Sequence, residues 1–304
     1  MKTFVYKVLF ASTLIIASAN FGFSQTRTVE HDFPAFDGIE ASDGFKVSIS
    51  KSDTFGAKLT IDDALESYVQ CYVRSSVLHI GLDDKNIPKD VKKQYKSRNS
   101  QGPTLVAVVY LPTLNSLYLN DDCEFYSANS LNSGNFVLDM KGSSSVNNIK
   151  ILATSFSLSI DKNARFTNAG VTTENDMSVI SDGKATVSME FACKNLNVSG
   201  SGSADLTLNG TAEDKVTVTA NASSKFLLSG KAVSLDLSGK GTSAKVDASA
   251  LLVDSAVVSI TGIAADISPE KALELDLGKG SEVDYAGDPA VKIVKIQNAS
   301  VTRK

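Results

Sequence analysis

The chain has 304 residues, with 30 basic and 34 acidic side chains and a formal net charge of −4. This near balance excludes a strongly basic nucleic-acid surface and a long acidic tail. Hydrophobic residues make up 42% of the sequence, but aromatic residues only 7%, and tryptophan is absent. Such a composition suits a narrow rod filled by aliphatic side chains better than a globular core built on large rings.

The N-terminus has the features of a secretory signal peptide, which we place at residues 1–24. Lys2 and Lys7 come before an apolar run at residues 8–19 that is too short to span a bilayer, and small residues follow it. Cleavage after Ala19 or near Ser24 are both compatible with the pattern, and we favour a mature start at Gln25. The first cysteine is Cys71, so no lipoprotein anchor is expected, and no later segment has the length of a transmembrane helix. We therefore expect an exported protein, located in the periplasm, on the outer membrane or outside the cell.

The mature chain, residues 25–304, is predicted to form one domain that begins with an atypical cap. Residues 25–82 contain alternating strands, such as residues 45–49 and 58–61, without the Gly/Ser turns found later. Repeat proteins need terminal units of this kind because an uncapped repeat presents open backbone groups to other chains.

Residues 83–103 interrupt the strand pattern and are predicted to form a basic loop or a short helix. Pro88 and Asp90 are suited to a helix start. Acidic residues dilute the positive charge, which is more typical of a solvated face than of a binding site for anionic glycans or lipid headgroups. The basic side chains are Lys85, Lys89, Lys92, Lys93, Lys96 and Arg98.

Residues 104–304 repeat one pattern at intervals of roughly twenty residues, as stacked repeat proteins do. The clearest copy is residues 196–206, LNVSGSGSADL, in which two alternating apolar residues precede a Gly/Ser turn and a closing apolar residue. Alternation favours strands over helices, and so small a unit must stack on a neighbour to bury its apolar side chains. We therefore predict an all-β fold, a β-solenoid of about ten rungs. The copies start at Leu117, Phe136, Phe156, Met177, Leu196, Val216, Leu235, Val258, Leu273 and Val291.

The closing apolar residues of the repeats are predicted to stack as one internal ladder. The ladder consists of Phe125, Val146, Phe166, Val187, Leu206, Phe226, Val246, Ile267, Val283 and Val301. The preceding residue in each repeat is expected to face water, which would place Asp205 beside Lys225 and Lys245 beside Asp266. Such exposed pairs contribute only about 0.2–1 kcal/mol each.

Several short motifs resemble a family of secreted bacterial proteins described as "putative auto-transporter adhesin, head GIN domain". The resemblance is carried by the Ser-Gly-Ser-Gly turn and the ending GSEVDYAGDP at residues 280–289, with FDGI at 36–39, the strand at 47–49, LHI at 78–80 and YLPTL at 110–114. It spans nearly the whole mature chain and implies an adhesive role with no assigned reaction.

Three turns depart from the family pattern because they lack the expected glycine. Residues 143–145 are Ser-Ser-Ser, residues 163–164 are Asn-Ala and residues 221–222 are Asn-Ala. These turns must therefore tolerate a β-carbon, and asparagine is the residue that does so best.

Catalytic, metal and cofactor signatures are not apparent in the sequence, so we assign no site residue and no cofactor. The two histidines are His31 and His79, and His79 is expected to face solvent from a strand between Leu78 and Ile80. The carboxylates that come nearest to a catalytic set are Asp121, Asp122, Glu124 and Asp139, which we interpret as solvated turn residues, with calcium at Asp121 and Asp122 left open. Cys71, Cys123 and Cys193 are expected to be free, because a bond between Cys123 and Cys193 would be geometrically poor.

Two classes of function follow. The first is a non-enzymatic cell-envelope protein, an adhesin or a binding scaffold, whose partners are glycans or surface proteins and which could form an oligomer. It would present a polar face formed by Ser157, Ser178, Asn197, Thr217, Asp236 and Ser259. The alternative is a polysaccharide lyase or hydrolase built on a β-helix, which needs carboxylates at a defined separation and a cleft. The resemblance favours the first class.

Overall fold

The structure, a computed structural model, describes residues 25–95 and 102–304. The predicted signal peptide at residues 1–24 lies outside the described residues, as does part of the predicted basic segment. None of the helices in the described ranges is long and apolar enough to cross a membrane.

The N-terminal part of the described chain consists of seven strands and two short helices. They are β1 (Thr26–Asp32), β2 (Gly38–Ala41), β3 (Lys46–Lys51), β4 (Gly56–Asp62), a 3-10 helix (Asp63–Tyr68), β5 (Val69–Arg74), β6 (Val77–Leu82), α1 (Lys89–Tyr95) and β7 (Leu105–Leu111). The helix α1 lies in the segment predicted as a basic loop or short helix, directly after Pro88.

The remaining chain consists of strands alone. They are β8 (Ser116–Leu119), β9 (Glu124–Tyr126), β10 (Leu131–Met140), β11 (Ser145–Asn147), β12 (Lys150–Ile160), β13 (Arg165–Thr173), β14 (Met177–Ser181), β15 (Thr186–Gly200), β16 (Asp205–Ala222), β17 (Lys225–Lys231), β18 (Ser234–Gly241), β19 (Lys245–Thr261), β20 (Ala264–Leu277), β21 (Glu282–Tyr285), β22 (Ala290–Ile296) and β23 (Ser300–Arg303).

These strands stack in parallel to form a β-solenoid, as predicted. We call the stack that runs through β9, β11, β13, β15, β16, β17, β19, β20, β21 and β23 column A. Column B runs through β6, β2, β8, β10, β12, β14, β15, β16, β18, β19, β20 and β22. A third stack, column C, forms between them from β10 onward, where the longer strands bend round a corner.

The N-terminal end is closed by antiparallel strands. In column A, β7 pairs in parallel with β3, β4 pairs antiparallel with β7, and β1 pairs antiparallel with β4. In column B, β5 pairs antiparallel with β6. The coil of β2 and β3 therefore lies between the coil of β6 and β7 and the coil of β8 and β9. Three strands of the predicted cap, β2, β3 and β6, thus belong to the parallel columns, and the stacking order differs from the chain order.

The interior is aliphatic, with stacked phenylalanines at its N-terminal half. Phe136 and Phe156 stack with ring centroids 6.1 Å apart, and Phe156 stacks on Phe166 at the same distance. The predicted ladder in column A is present from Phe125 to Val246 and again at Val283 and Val301.

One member of the predicted ladder is wrong. Val246 pairs with Ala265, and Ala265 pairs with Val283, so the ladder contains Ala265 and not Ile267. Ile267 is buried, but it lies two residues further along the strand. Lys245 accordingly lies beside Ala264 instead of Asp266. Ala265 and Ile267 both point inward, so the alternation of the strand does not distinguish them. The sequence prediction assigned the ladder position to Ile267 because its side chain is larger.

The turns between columns B and A repeat one backbone conformation from coil to coil. Positive φ occurs at Asp121, Gly142, Lys162, Gly183, Gly202 and Ala222. The strained residues in the two Asn-Ala turns are thus Lys162 and Ala222, not the asparagines, so these two turns do tolerate a β-carbon. The turn at residues 143–145 has Gly142 at this position, and the expectation that it must tolerate a β-carbon is wrong. Each turn hydrogen-bonds to the next, for example from Ser203 N to Gly183 O at 2.6 Å.

Candidate functional site on the outer face of column B

The outward side chains of column B form two continuous rows, which we call the outer B face. Since inward and outward residues alternate along a strand, each strand contributes one residue to each row. The first row contains Ser157, Ser178, Asn197, Thr217, Asp236, Val257 and Glu274. The second row contains Asp139, Ser159, Ile180, Ser199, Thr219, Ser238, Ser259 and Asp276.

The predicted polar face is therefore present, with one correction. Ser259 pairs with Ser238 and Asp276 and belongs to the second row, while Val257 takes its predicted place in the first. In this coil, Ala256 is the inward residue that pairs with Leu235. The sequence prediction placed the larger Val258, two residues later, at that position. Most side chains in the middle of the outer B face are short hydroxyls or amides, so the surface there is flat and rich in hydrogen-bonding groups.

The second row continues toward the N-terminus into a hollow. In column B, His79 pairs with Glu40, Glu40 with Tyr118, and Tyr118 with Asp139. Four successive coils thus place these side chains side by side, at steps of about 4.8 Å. The hollow has a volume of about 400 Å³, and Arg74, Ser75, Asn120 and Lys141 complete its polar lining. We call it the N-terminal hollow.

His79 is fixed on two sides. Its Nδ1 lies 2.9 Å from Oε2 of Glu40, and its ring stacks on Tyr72 with centroids 5.0 Å apart and an interplanar angle of 15°. The side chain of His79 is 26% exposed. The prediction that His79 points outward is confirmed, since Leu78 and Ile80 on either side are buried.

Asp139 lies at the other side of the hollow and is incompletely paired. Its Oδ2 lies 3.0 Å from Nζ of Lys141. Its Oδ1 is buried and has no hydrogen-bond partner among the described residues. Arg74, in the same hollow, forms no ion pair with any residue of the described ranges. The hollow therefore holds one unused acceptor and one unused set of donors.

The other carboxylates considered in the sequence do not converge on one point. Asp121 and Asp122 are exposed turn residues, whereas Glu124 lies in column A, 3.4 Å from Nζ of Lys46. Asp139 lies in column B and points into the hollow. Within the part of the chain that the structure describes, no group of three or more His, Cys, Asp or Glu side chains could hold a metal ion.

The three cysteines are free, as predicted. Cys123 and Cys193 are buried, and Cys71 is half-buried. Burial raises the pKa of each thiol from 9.0 to about 12. A thiol that stays protonated at neutral pH is a poor nucleophile and a poor metal ligand, so these cysteines are packing residues.

The family model "putative auto-transporter adhesin, head GIN domain" matches residues 35–189 and 181–289. The chain belongs to this family. Among curated proteins, none matches the chain. The two matched ranges of this head GIN chain together include the outer B face and the N-terminal hollow, apart from the last coil.

Solved structures of bacterial proteins are similar over most of the chain at low identity. A "putative adhesin" from Parabacteroides merdae is 18% identical, covers 92% of this chain and 96% of its own, and has a TM-score of 0.43. A "putative lipid binding protein" from Parabacteroides distasonis is 16% identical, with coverages of 92% and 96% and a TM-score of 0.48. A "putative adhesin" from the same organism is 16% identical, with coverages of 93% and 98% and a TM-score of 0.46.

Sequence reasoning missed the N-terminal hollow of this head GIN chain because its residues come from distant segments. Glu40, His79, Tyr118 and Asp139 are brought together by the insertion of the first coil between two later ones. The alternation in residues 38–41, 77–82 and 116–119 does identify each of these side chains as outward-facing. No sequence signal indicates that they are neighbours.

Proposed function

We propose that the protein is an exported, non-enzymatic binding module of the cell envelope, and that its outer B face holds an extended glycan. Membership of an adhesin family supports a binding role. The observation that carries the proposal is the double row between Ser157 and Ser259, in which nine of the twelve side chains are short hydroxyls or amides. The other three are Ile180, Asp236 and Val257. Polysaccharide hydroxyls are both donors and acceptors, and so are the serine and threonine hydroxyls that they would meet.

A surface protein is the other class of partner that an adhesin could take. We favour a glycan because large exposed aromatic anchors, which dominate protein–protein contacts, are not present in the middle of the face. Flat arrays of small polar groups suit a ligand that makes many weak contacts along its length.

The test is a glycan array with the mature protein, residues 25–304, followed by a reducing-sugar assay on every polysaccharide that binds. Binding without release of reducing ends is expected. Thr217→Arg places a long charged side chain in the middle of the outer B face and should abolish binding. Thr207→Arg is the matched control, because Thr207 is exposed in column A, on the same strand β16. Loss of binding in both variants, or in neither, would contradict the placement of the site.

The assay also separates the enzymatic alternative from the binding module. Release of reducing ends that disappears in Asp121→Ala, Asp122→Ala or Asp139→Ala would identify an enzyme. N-terminal sequencing of the exported protein tests the export step, with a mature start at residues 20–26 expected. Ile15→Arg should block secretion, because it places a charge in the apolar run.

A further inference from the structure

The N-terminal hollow has the dimensions and the lining of a site for a small ring. Its volume of about 400 Å³ falls within the range of about 300–1,000 Å³ that is typical of small-molecule pockets. Its floor is formed by the outward side chains of four adjacent strands, so the site is built on regular backbone instead of on loops. Sites on such a scaffold are held precisely.

The charges of the hollow favour a neutral ligand. Glu40 and Asp139 would repel an anion, whereas Arg74 and Lys141 would repel a cation. Glu40 is engaged by His79 at 2.9 Å and Asp139 by Lys141 at 3.0 Å, so both carboxylates are held in place without a ligand. A neutral molecule meets none of these repulsions.

The unpaired groups specify what that neutral ligand must supply. Oδ1 of Asp139 is a buried acceptor without a donor, which is unfavourable unless a ligand provides an N–H or O–H group. The guanidinium of Arg74 supplies donors for a ligand oxygen. Asp139 and Arg74 lie at opposite ends of the hollow, because β8, β2 and β6 separate β10 from β5. Hydroxyls on opposite sides of one ring would therefore donate to the carboxylate and accept from the guanidinium.

Tyr118 provides the apolar contact. Its ring lies between Glu40 and Asp139 in the second row and is half-buried. His79 lies two coils away from Tyr118 and is fixed by Glu40 and Tyr72, so that wall of the hollow is rigid before a ligand binds. A pyranose ring combines apolar C–H faces, which pack on aromatic rings, with hydroxyls at its rim.

We propose that the N-terminal hollow binds one sugar ring of a neutral glycan, with its hydroxyls on Asp139 and Arg74 and its face on Tyr118. This inference rests on the proposed function, because the hollow continues the second row of the outer B face. The flat rows alone would bind any polyhydroxyl chain. The hollow adds a position at which one kind of sugar ring is recognised.

The test is isothermal titration of the mature protein with neutral hexasaccharides of glucose, mannose and galactose, and with a hexasaccharide of glucuronic acid. We expect at least one neutral hexasaccharide to bind, and the acidic one to bind at least tenfold more weakly. Tyr118→Ala and Asp139→Leu should each weaken the neutral ligand at least tenfold. Lys225→Ala, an exposed change in column A, should leave the affinity unchanged.

A second measurement does not depend on variants that fold. In the NMR spectrum of the wild-type protein, the ring resonances of His79 and Tyr118 should shift during titration with the neutral hexasaccharide. The hollow is the wrong site if Thr217→Arg abolishes binding while Tyr118→Ala has no effect and the two ring resonances do not shift. That result would leave the proposed function standing. Failure of every glycan to bind the wild-type protein would overturn both.

Discussion

Lys162 and Gly183 occupy the same position in successive turns, and both have a left-handed backbone, with φ of +62° and +67°. The two turns are linked by a hydrogen bond of 2.6 Å that Lys184 N, next to Gly183, donates to Lys162 O. The conformation is easy for glycine but costs a residue with a β-carbon about 1–2 kcal/mol. The stack therefore imposes one turn geometry on six successive coils, from Asp121 to Ala222, whether or not glycine is available there.

The first prediction is that Lys162→Gly stabilises the protein. The relief of backbone strain exceeds the extra entropy of glycine in the unfolded chain, and a net gain of about 0.5–1 kcal/mol is expected. Gly183→Ala is the opposite change. It should be destabilising, because its β-carbon would also lie 2.8 Å from the backbone nitrogen of Lys162. Denaturant melts of both variants measure the difference, and a loss of stability in Lys162→Gly would show that the lysine is not strained.

The second prediction concerns the register of column A. Leu206 is fully buried and Asp205 beside it is exposed. Leu206→Asp should therefore destabilise by about 3–5 kcal/mol, because it removes a packed side chain and buries an unpaired carboxylate. Asp205→Leu should change the free energy of unfolding by less than about 0.5 kcal/mol. The reverse ranking in urea melts would mean that the strand faces are exchanged.

The third prediction concerns the thiols. With their pKa raised to about 12, Cys71, Cys123 and Cys193 should stay protonated at pH 8 and react slowly with iodoacetamide. The same reagent should modify all three thiols rapidly in 6 M guanidinium chloride. Mass spectrometry counts the modified residues. Rapid modification of Cys123 in the folded protein would contradict its burial.

The sign of the pH dependence follows from the same shift. Since the folded pKa of each thiol is higher than its unfolded value of 9.0, the protonated thiol favours the folded state. This contribution is complete below pH 9 and is lost as the pH rises toward 12. Replacement of Cys123 by alanine should make the alkaline part of the stability curve less steep.

The sequence predicts which face each residue of the solenoid takes, but not always which neighbour it meets. Alternation has a period of two, so it distinguishes Leu206 from Asp205 yet treats Ala265 and Ile267 as equivalent. In two of the three places where the register was wrong, an alanine takes the inward position, and the larger Val258 or Ile267 two residues later was predicted there instead. In the third place, Leu117 pairs with Leu138 and not with the predicted Phe136. Both alanines, Ala256 and Ala265, are buried.

The candidate site was less predictable than the fold. The first row of the outer B face follows from the repeat and was predicted apart from Val257, in whose place the sequence suggested Ser259. The second row was not predicted. The N-terminal hollow depends on the order β6, β2, β8 in column B, which is not the chain order. Parallel pairing of β2 with both β6 and β8 is a long-range choice, and the local sequence of Glu40 or Tyr118 does not encode it.

The last prediction concerns the C-terminal coil. β22 covers Leu273, Leu275 and Leu277 of the preceding coil with Val291, Ile293 and Ile296. These three covering side chains are themselves 40–59% exposed, because β22 is the last strand of its column in this chain. Lys292 lies on the outward side, 2.9 Å from Glu274, and Lys295 pairs in register with Asp276. An edge strand with lysines resists the addition of strands from other chains.

Deletion of residues 291–304 should therefore expose the buried leucines of β20 and remove Lys292 and Lys295, which protect the present edge. We expect soluble oligomers or precipitation in light scattering, and a lower midpoint in thermal melts, because the stability of a solenoid is a sum over coil interfaces. The double variant Lys292→Thr and Lys295→Thr is the matched control for charge: it keeps the coil and should promote association with little loss of stability. A truncated protein as monodisperse and as stable as the full chain would mean that the terminal coil neither covers nor protects β20.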